Sequence, residues 1–313
     1  MAEYTDRKTV DVLIPTYRPG KELEQLLEML ERQTYPLEHI QIVNTEQELW
    51  NFGIEERHPR VLVRHISKEE FDHGGTRAAM ARESDSDILV FMTQDAVPQN
   101  KYLIEELVRA LETDPVRAAY ARQLPAGDCT EAERFTRMFN YPPKSRIKTQ
   151  KDLPVLGIKT FFCSNVCAAY DRETYLRLGG FVTRTIFNED MIYASKVIRG
   201  GYAIAYAASA KVTHSHNYTC SQQFHRNFDL GVSQAEYPEV FQGIPSEGEG
   251  IRLVRATASH LIAQHKWMEL PELFFQSVSK YAGYFLGKRY KKLPEKLILR
   301  WTASPNYWRK SQK

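Results

Sequence analysis

The stretch Asp87-Ile88-Leu89-Val90-Phe91-Met92-Thr93-Gln94-Asp95-Ala96-Val97-Pro98 decides the fold. Its first half is short, apolar and uninterrupted, which predicts a strand buried on both faces. A polar turn follows. Asn100 is then expected to cap a helix with Leu103, Ile104, Leu107, Val108 and Leu111 on its apolar face. Asp95 therefore stands at the C-terminal end of an interior strand, where open α/β sheets bind ligands. Magnesium and manganese take oxygen ligands and often reach substrate phosphates through one or two carboxylates. A helix-entry aspartate without a ligand would sit in the same place, and position alone does not separate the two readings.

The flanking segments repeat the same grammar. Val10 to Ile14 reads as a strand ending at Pro15-Thr16-Tyr17-Arg18, and Leu23, Leu26, Leu27 and Leu30 follow at helical spacing. Ile40 to Val43 is a second strand, ending at Asn44-Thr45-Glu46, and Val61 to Val63 a third. Strands alternating with helices predict a mostly parallel sheet with right-handed crossovers. Residues 124–160 are polar and proline-rich and read as loops with one short helix. Asp171 starts a short helix that stops at Gly179-Gly180. Glu189-Asp190 opens a helix carrying Met191, Ala194, Val197 and Ile198, stopped by Gly200-Gly201. Tyr202 to Ala207 is a strand, Lys211 to Tyr218 follows, and from Ser221 the pattern is mostly helical. No internal repeat or low-complexity segment interrupts it.

Composition sets outer limits. The chain has 313 residues, 42% of them hydrophobic, which allows one large domain or one domain with an appendage and argues against disorder. No run approaches the ~18 apolar residues of a membrane span. Met1 to Lys8 shows no signal-peptide pattern. Four cysteines do not make a disulfide scaffold, and Cys163 and Cys167, in an apolar segment, read as buried free thiols. A reducing cytoplasm is the expected compartment. Net charge is +3, yet residues 280–313 hold ten Lys/Arg against Glu295 alone, so that segment carries +9 and the rest −6. Such asymmetry points to an anionic partner for the tail.

Several other residues suit chemistry. The Pro15–Arg18 turn can hold a base or ribose. His73-Gly74-Gly75-Thr76-Arg77 enters a helix, where glycines admit a close ligand and the helix amides with Arg77 favour a diphosphate. A turn with a solvated arginine is the plain alternative. Glu189-Asp190 can complement a helix dipole, or Asp190 can be a general base while Glu189 binds an acceptor sugar or braces the loop. His214-Ser215-His216 follows an apolar strand, and either imidazole could ligate a metal or a leaving phosphate. There is no Gly-X-Gly-X-X-Gly fingerprint and no phosphate-loop lysine motif, so dinucleotide redox chemistry and nucleoside-triphosphate hydrolysis lose support.

In this order the elements resemble inverting glycosyltransferases of family 2, over about two-thirds of the chain. "FDHGGTR", "TQDAVP", "FNEDMIYASKVIRGGY" and "KVTHSHNYT" are similar to bacterial L-rhamnosyltransferases of rhamnose-rich surface polysaccharides, as are Gln223 to Gly231 and Pro305-Asn306-Tyr307-Trp308. The resemblance implies the GT-A nucleotide-diphospho-sugar transferase fold at residues 1–219 and a helical region with a basic tail at 220–313. It implies Asp95 as the metal ligand, with Thr93 where the family's first acidic residue stands, and His214, with His216 in reserve, as the late histidine. Asp190 matches the catalytic base. Ser164 and Asn165 match the acceptor side, together with Glu189. Pro15, Thr16, Tyr17, Arg18, Glu46, Gly75, Arg77 and Gln94 match the nucleotide-sugar side, Glu46 standing where the family's base-recognising acid has another form. The implied cofactor is Mg2+ or Mn2+, the implied donor dTDP-β-L-rhamnose and the implied product α-linked by inversion.

UDP-sugars would fit the same scaffold. A sugar-nucleotide pyrophosphorylase would carry its glycine-rich loop after the first strand, whereas Gly74 to Arg77 comes about sixty residues later. A non-catalytic glycan- or membrane-binding module is the remaining alternative. The tail mixes Tyr281, Tyr284, Phe285, Leu297, Ile298 and Trp301 with Lys288, Arg289, Lys291 and Lys292. It is expected to lie on an anionic membrane at the inner face of the plasma membrane, beside an acceptor glycan on a polyprenyl diphosphate. A packed helix with a solvated basic face, or a dimer interface, would look alike. No nucleic-acid-binding motif accompanies it.

Overall fold

The computed structural model describes residues 7–51, 53–244 and 247–309. Residues 1–6, at the start of the leader reading, and 310–313, at the end of the basic tail, lie outside the described residues. The architecture is one nine-stranded sheet: β1 (Val10–Tyr17), β2 (His39–Thr45), β3 (Val61–Ile66), β4 (Ile88–Met92), β5 (Val97–Pro98), β6 (Val116–Leu124), β7 (Arg146–Lys148), β8 (Cys167–Asp171) and β9 (Ala203–Thr213). The order is β3-β2-β1-β4-β8-β6-β9-β5, with β7 added against β9.

β1 pairs in parallel with β2 and β4, β2 with β3, and β6 with β9. β8 is wedged antiparallel between β4 and β6. Helices cover both faces. β4 shows why its sequence is apolar throughout: Ile88, Val90 and Met92 enter the core cluster on one face, Leu89 and Phe91 the cluster on the other. The strand expected to be buried on both sides is so. Chain order reverses between β1 and β4, which puts the crevice of the sheet at the ends of these two strands.

Four strands escaped the sequence reading, the two-residue β5 among them, since it lies in the turn after β4. β6 (VRAAYARQL) and β8 (CAAYD) owe their burial to small alanines sandwiched between other strands, and alanine carries no strand preference of its own. β7 is three residues long and takes its conformation from pairing with β9. The 202–207 strand runs further than expected and continues to Thr213 as β9. Asn100 is also corrected. The helix spans Leu103–Leu111 with Tyr102 as its cap residue, and the Asn100 side chain accepts from Tyr102 N at 2.9 Å, shaping the turn before it. Asp171 does cap its helix, accepting from Thr174 N. Cys163 and Cys167 are free and buried, and burial pushes the Cys163 thiol up to about 12.

After β9 the chain is helical. The Cys220–Glu236 helix packs along the Leu270–Gly287 helix at unusually close range. A Cβ on Gly283 would lie 2.3 Å from Phe224 O, one on Gly287 2.1 Å from Phe228 O, and one on Gly231 2.4 Å from Tyr284 O. The two backbones touch where side chains would stand. Phe228 and Val232 of the first helix pack with Ile186 and Ile298, against Phe187 and Trp301.

Gly287→Ala is expected to lower stability by about 1–3 kcal/mol or more, because the Phe228 carbonyl it would strike cannot retreat without moving its helix. Gly250→Ala, in the Glu247–Ala263 helix with open space around its Cβ position, is expected to raise it by about 0.5–1 kcal/mol. Urea denaturation of the two variants beside the parent checks both signs.

Candidate active site

Four strand ends meet at the crevice. Gln94, just after β4, clamps the end of β1: its Oε1 accepts from Tyr17 N at 2.8 Å and its Nε2 donates to Tyr17 O at 3.0 Å. Asp95 follows, and β5, only two residues later, pairs antiparallel with the end of β9, Val97 opposite Thr213. That pairing brings Asp95 to His214. The Asp95 carboxylate Oδ2 lies 3.1 Å from His216 Nε2 and 3.6 Å from His214 Nε2, and the two imidazole nitrogens are 3.1 Å apart. One ligand atom from each of the three residues falls within 4.8 Å of the others. Residues separated by about 120 positions thus form one cluster at the mouth of the sheet.

The electrostatics fit a cation. Burial alone would push the Asp95 carboxyl up, but the His216 hydrogen bond and the surrounding donors hold it well below the usual carboxylate range. Burial pushes His214 down to about 3, so its imidazole is neutral. A neutral imidazole and an ionised carboxylate are the ligand forms a metal requires.

The tautomer of His214 is set from behind. Arg137 Nη1 hydrogen-bonds Gln123 Oε1, and a guanidinium only donates, so that oxygen is the acceptor face of the amide. His214 Nδ1 lies 3.2 Å from the same oxygen and must therefore carry its proton towards it. The lone pair is left on Nε2, facing Asp95 and His216. Glu133 holds Arg137 in turn, at 2.6 Å. The other face of the Gln123 amide donates to Ser164 Oγ at 3.1 Å.

Ser164 opens the route to the acidic pair. Asn165 N donates to Asp190 Oδ2 and Asn165 Nδ2 to Glu189 Oε1, both at 3.2 Å, while Tyr170 OH donates to Asn165 Oδ1 at 2.8 Å and fixes the amide's sense. Met191 N donates to Asp190 Oδ1 at 2.7 Å. Burial, and then the adjacent Glu189 carboxylate, push the Asp190 carboxyl up to about 7. Asn188, before the pair, adopts the left-handed conformation (φ 65°), which asparagine tolerates better than most residues. Its side chain donates to Ser233 Oγ, and Ser233 Oγ donates to Phe187 O. The C-terminal helices therefore hold the entrance to the Glu189–Arg199 helix.

The glycine turn behaves differently from expectation. The Gly74 and Gly75 amides are both taken by Asp72 Oδ1, at 2.9 and 2.8 Å. A Cβ on either glycine would meet the backbone of Val182 or Thr183, so protein rather than ligand makes the close approach. Arg77 is buried, donates to His73 O and pairs with Glu189 at 3.3 Å. Where the sequence leads us to expect Gly75 and Arg77 beside a diphosphate, Asp72 holds the Gly75 amide and Arg77 pairs with Glu189, bracing the acidic pair. Glu189, 6% exposed, is engaged by Arg77 and Asn165, so of its two alternatives the contacts match bracing. Thr16 is buried with its hydroxyl donating to Asn44 Oδ1, while Pro15 is half-buried and Tyr17 and Arg18 are exposed at the crevice. Glu46, at the end of β2, accepts from Lys68 N at 2.7 Å, which, with the Lys68 ammonium, holds its carboxyl below the usual range.

Gln123, Arg137 and Asn188 were missed by the sequence reading. Gln123 ends an alanine-rich strand that periodicity did not reveal, and that strand's register with β9 is the signal that would have found it.

The chain is similar to known proteins along nearly its whole length. The chain is 34% identical over 305 residues to the O-antigen chain rhamnosyltransferase RfbN of Salmonella typhimurium (strain LT2), covering 97% of both chains. It is 36% identical over 304 residues to the O-antigen chain rhamnosyltransferase WbaN of Salmonella anatum, covering 96% of both. Among solved structures, the mannosyltransferase PcManGT from Pyrobaculum calidifontis, in complex with GDP-Man and Mn2+, shares the GT-A fold. Its TM-score is 0.56 at 19% identity, covering 97% of this chain and 85% of that one. The pattern of glycosyl transferase family 2 matches residues 11–179. With the curated relatives aligned over nearly their whole length, the chain belongs to glycosyltransferase family 2 and is a glycosyltransferase.

Proposed function

We propose that this enzyme transfers L-rhamnose from dTDP-β-L-rhamnose, with inversion, to a hydroxyl of a glycan acceptor during O-antigen-type polysaccharide synthesis. The acceptor is carried on a polyprenyl diphosphate at the cytoplasmic face of the plasma membrane. The observation that carries the reaction type is the two-pole site: Asp95, His214 and His216 converge on one side, and Asp190 stands on the other, linked to them through Gln123, Ser164 and Asn165. The sugar is supported by the names of the two relatives.

The donor set suits a divalent cation. Two imidazoles and one carboxylate fill part of a coordination shell and leave positions for diphosphate oxygens. Imidazole is a better ligand for Mn2+ than for the harder Mg2+, and we assign Mn2+ on that ground. When bound, the ion would neutralise charge developing on the leaving diphosphate. Asp190 receives the proton of the acceptor hydroxyl. The freed oxygen forms a bond to the anomeric carbon from the face opposite the diphosphate, the bond to the diphosphate oxygen breaks, and its electron pair leaves on dTDP. Tyr17 and Arg18 stand exposed beside the end of β1 to receive the nucleoside.

Asp190→Asn is expected to lower the transfer rate by about 10²–10⁴-fold in a protein that still folds, with some loss of melting temperature because one of the two backbone N–H groups loses its acceptor. Wild-type rates in a folded variant would refute the base assignment. Asp190 must be ionised to accept a proton, and its carboxyl is raised to about 7. The parent's kcat/KM should therefore fall as pH drops below neutrality, in a pH-rate profile measured on dTDP-rhamnose. Gln123→Met keeps the side chain's length but removes the acceptor that orients His214. It is expected to weaken Mn2+ binding by about 10–100-fold, read from Mn2+-induced thermal shifts, whereas Gln123→Glu, which keeps an acceptor oxygen, should retain most of the affinity. Excess chelator should abolish turnover and Mn2+ restore it.

A further inference from the structure

We infer that the outward face of the Leu270–Gly287 helix is a docking surface for an anionic lipid bilayer. This deepens the reading above and rests on it only for placing the acceptor in a membrane.

The argument starts from the glycines. Gly231, Gly283 and Gly287 press the Leu270–Gly287 helix backbone-to-backbone on its neighbour, which fixes its rotation. At 100° per residue, Phe274, Val278, Tyr281 and Phe285 fall within about 60° of arc, and Gly283 and Gly287 lie roughly opposite. The close-packed edge thus forces the aromatic stripe outward. Phe274 and Tyr281 are 62% and 61% exposed, Phe275 beside them is 60% exposed, and Trp267 and Met268 extend the patch at the preceding turn. A soluble helix normally turns such a face inward.

The occupant is argued from charge. Lys288 and Arg289 continue the same face one turn on, and the Arg289 guanidinium lies 3.6 Å over the Phe285 ring. Lys291, Lys292, Lys296 and Arg300 are exposed just beyond. Against these six cations stand three acids nearby, the exposed Glu295 together with Glu269, which accepts from Ala132 N, and Glu272, which accepts from Gln276, so the face stays net positive. Aromatic rings next to a cluster of cations suit the boundary between headgroups and acyl chains. No described helix is long and apolar enough to cross a membrane, so the contact lies on the surface.

The structure also redraws the surface expected from sequence. The Tyr284 hydroxyl donates to Gln234, Ile298 is buried, and Trp301 packs on Phe224 and Phe228. Those three face protein; Phe274, Phe275 and Val278 take their place.

The test is co-sedimentation of the full chain with vesicles of phosphatidylglycerol and phosphatidylcholine, against phosphatidylcholine alone, at low salt. The parent should bind the anionic vesicles and release them as salt rises. Phe274→Ser/Val278→Ser/Tyr281→Ser and, separately, Lys288→Glu/Arg289→Glu should each lower the bound fraction by about 10-fold or more. Both variants should keep the parent's thermal shift with dTDP and Mn2+, which reports an intact donor site independently of the membrane. Equal binding to both vesicle types, or a folded variant that binds like the parent, overturns the inference. A parent that sediments as a dimer without binding vesicles, and that the triple variant converts to monomer, would assign the face to a second copy and overturn it as well.

Discussion

A carboxamide side chain has one face that only accepts and one that only donates, and Gln123 uses both. Its oxygen is committed by Arg137 and so orients His214. Its nitrogen is committed to Ser164, from which the chain runs to the residues that hold Glu189 and Asp190. A buried amide, 2% exposed, cannot turn over without leaving donors facing donors. This one group therefore links the Asp95, His214 and His216 cluster to the Glu189–Asp190 pair and restricts how the two can be oriented.

The acidic pair is costly to build. Two adjacent carboxylates at the start of a helix are out of water, and the structure separates their fates. Glu189 keeps its charge partner, since Arg77 is buried against it. Removing one member of such a buried pair typically costs about 3–5 kcal/mol, because the other is left uncompensated. Burial and then Glu189's charge outweigh the two backbone amides and the Arg77 charge at Asp190, and its affinity for a proton rises. Two neighbouring acids thus meet different surroundings, one paired with a guanidinium and the other held by backbone amides.

The region after β9 takes part in this arrangement. Ser233 receives the Asn188 amide, and Phe228 and Val232 pack near Ile186 and Phe187, so the approach to Asp190 is held by residues far along the chain. The same helix meets the Leu270–Gly287 helix through glycines, and that close contact turns an aromatic face to the outside. One packing constraint both steadies the approach to Asp190 and exposes a patch that water alone does not favour.

The sequence by itself determined the alternation of strands and helices, the double burial of β4 and the family. Each is written in local apolar pattern or in ordered motifs, and local pattern survives without knowledge of neighbours. Asp95, Asp190 and the two histidines were legible for the same reason, since each stands at the end of a recognisable strand or the start of a recognisable helix. Only the tertiary structure decided which strands sit side by side. β6 and β8 are strands because of what flanks them, and the pairing of β5 with β9 is what carries Asp95 to His214 and His216. It also showed Arg77 as the partner of Glu189, and made Gln123, an unremarked residue, the link between the two halves of the site. Long-range hydrogen bonds and close backbone contacts join residues a hundred positions apart, and no window of sequence contains both ends.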